Sequence, residues 1–134
     1  MIRKLNSSKA GFTLVEIMIV VAIIALLATI AVPSFLRARK RSQATKIVND
    51  ARIYEAAIDQ WAIENNKVNS STFNFSNVSD YIKASTELVR TSGRDILNNL
   101  FVVSSVANGV KVADNSYSDL SDVTRPDFWS SYAP

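Results

Sequence analysis

The chain has 134 residues and a mass of 14.8 kDa, room for one small domain, and an apolar block near its start takes up much of that length. It contains no Cys and no His, which excludes disulfides, thiolate metal sites, cysteine nucleophiles and the commonest neutral-pH base and zinc ligand. The formal charge of +3 hides an asymmetry: residues 1–52 carry nine Lys or Arg against two acids, and residues 53–134 carry six against ten. The basic groups flank an apolar stretch, so they fit phospholipid headgroups and not nucleic acid.

From Ile17 to Val32 the chain reads IMIVVAIIALLATIAV, with Thr29 the only polar side chain, and the wider span Phe12 to Leu36 adds only Thr13, Glu16 and Ser34. A helix over those 25 positions would be about 37 Å long at about 1.5 Å per residue, enough to cross a hydrocarbon core of about 30 Å. It is apolar on every face, and a domain of the remaining size cannot wrap it as a soluble core helix. A cleaved secretory signal is the competing reading, since Arg3, Lys4 and Lys9 precede the run; the run is long for one, and RARKR follows directly. Pro33 lacks an amide proton and is expected to kink the helix near its membrane exit. Glu16 is an acid in an apolar stretch, a functional suspect by default, with rest at headgroup depth as the plain alternative.

The stretch Lys9-Ala10-Gly11-Phe12-Thr13-Leu14-Val15-Glu16, followed by IMIVVAIIALLATIAVP, resembles the processing and assembly signal of type IV pilins and type II secretion pseudopilins. The resemblance implies a leader over residues 1–11 and cleavage by a prepilin peptidase between Gly11 and Phe12. It also implies N-methylation of Phe12, an assembly role for Glu16 with the amine of Phe12 in a neighbouring subunit, and a helix break at Pro33. A contact of Glu16 within its own chain, across one turn, competes with the intersubunit pairing. One departure from the pattern is Ala25, where many members carry Gly; Gly weakens a helix by about 1 kcal/mol relative to Ala, so partial unwinding there is less assured. Removing residues 1–11 leaves twelve basic and twelve acidic side chains.

Orientation brings a conflict. Three basic residues precede the helix and five follow it (Arg37, Arg39, Lys40, Arg41 and Lys46), which leans toward a cytoplasmic C-terminus. The resemblance implies the opposite, a single-pass protein of the inner membrane whose C-terminal head is extracytoplasmic, and a difference of two charges is the weaker argument.

Beyond the basic cluster, Ile47, Ala51, Tyr54, Ile58 and Trp61 recur at helical spacing, widened by Val48 and Ala62, while Asp50, Arg52, Glu55, Asp59 and Glu64 keep the other face wet. The sequence thus predicts a transmembrane and assembly helix over 12–36, its amphipathic continuation over 37–64, and a small head over 65–134. Asn65, Asn66 and the tract through Ser71 end the helix. Residues 65–80 read as loop, with Phe73 and Phe75 as anchors and with N-x-S triplets at Asn69, Asn74 and Asn77 as signs of exposure. Tyr81 to Val89 is expected as a short helix capped by Ser79 or Asp80, with Tyr81, Ala84 and Leu88 on one side.

FVVSSVANGVKVAD predicts a hairpin over 101–113 turning at Asn108-Gly109. Pairing Ala107 with Val110 would put Phe101, Val103, Ser105, Val110 and Val112 on one face, against the helix stripe. The fold class expected is therefore α+β, a long N-terminal helix packed on a small antiparallel sheet. The tail from Tyr117 is expected as an ordered loop pinned by Phe128, Trp129 and Tyr132, and its DFWSSY resembles a C-terminal region of the major type II pseudopilin. Asp114, Asp119 and Asp122 could offer oxygen ligands to calcium, but they match no EF-hand pattern and read better as solvated turn carboxylates.

No nucleophile and base arrangement is recognisable, so no catalytic residue, metal or cofactor is expected. The resemblance implies a polymerising filament subunit, of a type II secretion pseudopilus or a type IV pilus-like fibre. Its implied partners are copies of itself, the prepilin peptidase, an assembly platform protein with its ATPase, and membrane lipid. The alternative is a membrane-tethered binding module with an extracytoplasmic head that does not polymerise.

Overall fold

The structure, a computed structural model, describes residues 11–134. Of the expected leader, all but Gly11 lies outside the described residues. The chain divides into two compact units, with the boundary between Leu36 and Arg37. One helix, α1, Leu14–Glu64, contributes its first part to one unit and its second part to the other.

In the first unit every residue from Phe12 to Leu36 is exposed, from 85% for Phe12 to 50% for Leu36 among the large apolar side chains. This is the one helix among the described residues long and apolar enough to cross a membrane, and none of its apolar window is buried. Its polar side chains turn inward on the backbone: Thr29 donates to the carbonyl of Ala25 at 2.9 Å and Ser34 to that of Ile30 at 3.3 Å. Such pairing lowers the cost of hydroxyls in lipid, where water cannot serve them. The helix continues through Pro33, whose ring nitrogen has no proton for the carbonyl of Thr29.

In the second unit the later part of α1 is the centre of the core. Ala44, Ile47, Val48, Ala51, Tyr54, Ala57, Ile58, Trp61 and Ala62 are buried along one face, following the three- and four-residue spacing of the sequence. The helix ends in a Schellman turn: Asn66 takes φ 50°, its amide donates to Ile63 at 3.3 Å and that of Lys67 to Ala62 at 2.9 Å. Asn65 adds a side-chain bond to the carbonyl of Trp61. Short elements then cover the stripe: α2, Phe75–Val78, α3, Glu87–Arg90, α4, Asp114–Leu120, and α5, Pro126–Trp129. They supply Val78, Leu88, Leu120 and Trp129 to the core, and the connecting segments supply Ile82, Phe101, Val110 and Val112. Phe75 and Phe101 meet Tyr54 edge-on at 5.4 and 6.2 Å, and Phe73 lies 5.5 Å from Trp61.

The expected α+β class is overturned, because no β-strand or sheet occurs among the described residues. Only two isolated antiparallel bridges form, Arg94 with Leu100 and Val102 with Lys111. The expected turn fails for a specific reason: Val106–Asn108 forms a 3-10 turn, and only Gly109 has positive φ, at 64°. A tight two-residue turn needs positive φ at its first central position, and in type I′ at both, and Asn108 does not take it. The amides of Val106 and Ala107 donate instead to the carbonyls of Ser71 and Asn69. Pairing therefore shrinks to Val102 and Lys111, which exchange bonds of 2.8 and 2.9 Å. Phe101, Val110 and Val112 are still buried, but as anchors of extended chain and not as a sheet face.

Two further expectations are corrected. Residues 81–89 form no single helix; a 3-10 turn at Ser79–Tyr81 is followed by α3, and Ile82 is buried while Ala84 is exposed. The tail is not loop: α4 and α5 occupy it, ending in a 3-10 turn at Ser130–Tyr132. Pro126 sits in the first turn of α5, where its missing amide proton costs nothing.

Candidate processing and assembly site

Gly11, Phe12 and Thr13 precede α1 in non-helical backbone and are exposed, and nothing approaches within 4 Å of the position a Gly11 side chain would take. The Gly11 to Phe12 peptide bond is thus in the open, irregular chain that a peptidase needs. One turn later stands Glu16. Its Oε2 accepts from the backbone amide of Thr13 at 2.8 Å and from the Thr13 hydroxyl at 2.9 Å. In return the amide of Glu16 donates to the Thr13 hydroxyl at 3.2 Å.

This is a capping box. Thr13 and Glu16 stand at N-cap and N3, and each satisfies a donor that the start of a helix leaves without an intrahelical partner. The carboxylate also lies near the positive end of the helix dipole. Sequence reasoning missed Thr13 as the partner of Glu16, although T-x-x-E ahead of an apolar run is the signature of this motif. Among the described residues, Glu16 Oε1 receives no hydrogen bond, so half of the carboxylate keeps its acceptor capacity. Gly11, Phe12 and Glu16 are therefore gathered within one turn of the helix start, and Pro33 lies far along the same helix.

The tail acids are scattered. Asp122 accepts from the Lys40 ammonium at 3.0 and 3.2 Å, Asp114 opens α4, and Asp119 is exposed on it. No group of three or more His, Cys, Asp or Glu among the described residues could hold a metal ion. The buried acids lie elsewhere. Asp95 Oδ1 accepts from the amides of Leu97 and Asn99 at 2.9 Å, and its Oδ2 accepts from the Ser116 hydroxyl, which in turn accepts from Asn99. Asp50 is buried on α1 with its Oδ2 unpartnered; desolvation raises its pKa, Lys46 pulls it down, and Glu87 and Asp95 push it further up. The Tyr132 hydroxyl is raised by burial and by its 2.8 Å bond to Glu55, and that of Tyr81 by its 2.5 Å bond to Glu64.

Comparison with known proteins bears on the N-terminal part. The family model described as the prokaryotic N-terminal methylation motif matches residues 6–32. The type II secretion system core protein G of Klebsiella michiganensis is 35% identical over 62 residues, 46% of this chain and 44% of that protein. The type IV wide pilus major component of Thermus thermophilus is 42% identical over 64 residues, 46% of this chain and 47% of that protein. A fimbrial protein of Pseudomonas aeruginosa is 39% identical over 64 residues, 48% of this chain and 42% of that protein. The chain thus spans less than half the length of these relatives. No solved structure matches it. The matches show homology to type II secretion pseudopilins, type IV pilins and fimbrial proteins, together with a prepilin-type methylation motif.

Proposed function

We propose that this homologue of pilins and pseudopilins is a structural, non-enzymatic subunit of a type II secretion pseudopilus or type IV pilus-like filament. Residues 1–11 are a leader cut at Gly11, Phe12 is the new, N-methylated terminus, and residues 12–36 hold the subunit in the inner membrane with residues 65–134 outside the cytoplasm. Polymerisation runs through the N-terminal helix. Prepilin peptidase, an assembly platform with its ATPase, and other copies of the chain are the partners. The observation that carries this reading is the juxtaposition of an exposed Gly11–Phe12 bond with a carboxylate one turn away, at the start of an apolar helix that no described residue buries. Glu16 Oε1, with its free acceptor capacity, can receive the amine of a neighbouring Phe12 while Oε2 keeps the cap. An uncompensated carboxylate in a low-dielectric bundle is costly, so such pairing favours the assembled register.

The capping box favours a second reading, in which Glu16 only starts the helix and the chain is a tethered module that does not polymerise. Three variants separate the two. Thr13→Val removes the capping hydroxyl, worth about 0.5–2 kcal/mol, and leaves the carboxylate; Glu16→Ala and Glu16→Gln remove the charge. Intact mass of each membrane-extracted protein should show loss of residues 1–11 and one added methyl. The fraction of processed subunit in sheared filaments should fall sharply for both Glu16 variants and stay near wild type for Thr13→Val. Equal yield from all four proteins refutes the assembly role, and a mature chain starting at Met1 refutes the processing.

A further inference from the structure

A cavity of about 380 Å³ opens on the second unit, lined by Arg41 and Thr45 of α1, by Val123, Thr124 and Arg125 of the α4 to α5 connection, and by Phe128 of α5. Two of its six lining residues are cations and none is an acid. Among the described residues neither guanidinium has a carboxylate within 4.0 Å, and Asp122, next in sequence to Val123, is held by Lys40 at 3.0 Å. Among the described residues Arg41 is anchored by one nitrogen only: its Nε donates to the carbonyl of Val123 at 2.9 Å, which leaves its terminal amino groups unengaged there. The hydroxyls are committed, Thr45 to the carbonyl of Arg41 and Thr124 between the carbonyl of Leu120 and the indole of Trp129. The free recognition chemistry is therefore a pair of guanidiniums beside an apolar wall of Val123 and Phe128. That suits a tetrahedral oxyanion attached to something hydrophobic.

Chain connectivity brings one source of such anions within reach. Arg41 follows Leu36, the last residue of the apolar segment, by five residues, which can span at most about 18 Å by any path. Headgroups form a layer of about 5–7 Å on each side of the hydrocarbon. We infer that this cavity binds the phosphate of an anionic phospholipid headgroup, with Arg41 and Arg125 as its ligands. The inference rests on residues 12–36 spanning a membrane, and not on polymerisation.

The test uses the full chain in dodecylmaltoside micelles, titrated with dihexanoyl phosphatidylglycerol, dihexanoyl phosphatidylcholine and inorganic phosphate, with the backbone amides of Val123, Thr124, Arg125, Asp127 and Phe128 followed by NMR. Phosphatidylglycerol should saturate and bind at least tenfold more tightly than either other probe. Arg41→Gln and Arg125→Gln should each weaken it at least tenfold. The double variant Arg37→Gln, Arg39→Gln removes two charges of the same basic stretch that are exposed, as Arg41 and Arg125 are, but do not line the cavity, and should change it less than threefold. Equal weakening by that control reduces the effect to general electrostatics and overturns the site, as does the absence of saturation. Inorganic phosphate binding as tightly as the lipid overturns the headgroup assignment. Shifts at the same amides that depend on protein concentration reassign the cavity to an acidic group of a second copy. Failure of the chain to enter micelles is seen separately, in its sedimentation, and counts against the membrane reading itself.

Discussion

Trp129 offers the sharpest test of whether the tail belongs to the core. Its side chain is 1% exposed, its ring lies 5.7 Å from that of Tyr117 and 5.2 Å from that of Phe128, and its indole nitrogen donates to the Thr124 hydroxyl at 2.9 Å. A tryptophan buries about 150–250 Å². At about 25 cal/mol per Å², and allowing for the methyl group that remains and the cavity left behind, Trp129→Ala should cost about 3–5 kcal/mol. A unit of this size has about 5–15 kcal/mol in total, so the variant forfeits about a fifth or more of its stability. Trp129→Phe keeps most of the ring contact and loses the hydrogen bond, for about 1–2 kcal/mol. The assay is urea denaturation of a chain beginning at Arg37, followed by far-ultraviolet circular dichroism so that the removed fluorophore does not matter. A loss below about 1 kcal/mol for Trp129→Ala would mean that the tail opens on its own, and the cooperative core drawn from α1 to Trp129 would be wrong.

Two other outcomes follow from the same unit. Burial raises the pKa of Asp50 above the ordinary aspartate range, so the folded state keeps a proton that the unfolded chain releases. Its stabilising effect is full below about pH 4 and is lost as pH rises through the raised value. Asp50→Asn should therefore equal or exceed wild type at pH 7 and lose that advantage in acid; parallel stability profiles from pH 3 to 8 would refute this. Gly93 has φ +80°, and a Cβ there would stand 2.7 Å from the Phe75 ring. Gly93→Ala should cost at least about 1–2 kcal/mol by thermal or chemical melting, and a neutral result would place Phe75 elsewhere.

What the sequence made legible was what repeats locally. The apolar run and the spacing of Ile47, Ala51, Tyr54, Ile58 and Trp61 are properties of consecutive turns, and they mark α1 without knowledge of any partner. The hairpin is not legible locally because its outcome depends on a distant segment: carbonyls at residues 69 and 71 capture the amides of Ala107 and Val106. Helix α4, DNSYSDL, is made of poor helix formers apart from Leu120 and is held by the burial of Ser116 and Leu120, which no local propensity reports. Pro126 at the start of α5 and the Thr13 to Glu16 spacing were readable signals of a helix start. At the candidate site the residue types and their order were legible. The partner of Glu16 in its own chain is Thr13, which the T-x-x-E spacing also marks.

The bonds that close the second unit also bear on how it is made. Tyr132 reaches Glu55 across 77 positions, and Lys40 reaches Asp122 across 82. Translation proceeds at about 5–20 residues per second, so the apolar stripe of α1 waits roughly 4–15 s on the ribosome before its last cover is synthesised. During that interval an amphipathic helix with Trp61 and Ile58 unshielded follows directly behind a segment seeking lipid. Nascent chains stalled before Trp129 should accordingly be the species that holding chaperones capture, and the ones that proteases remove first.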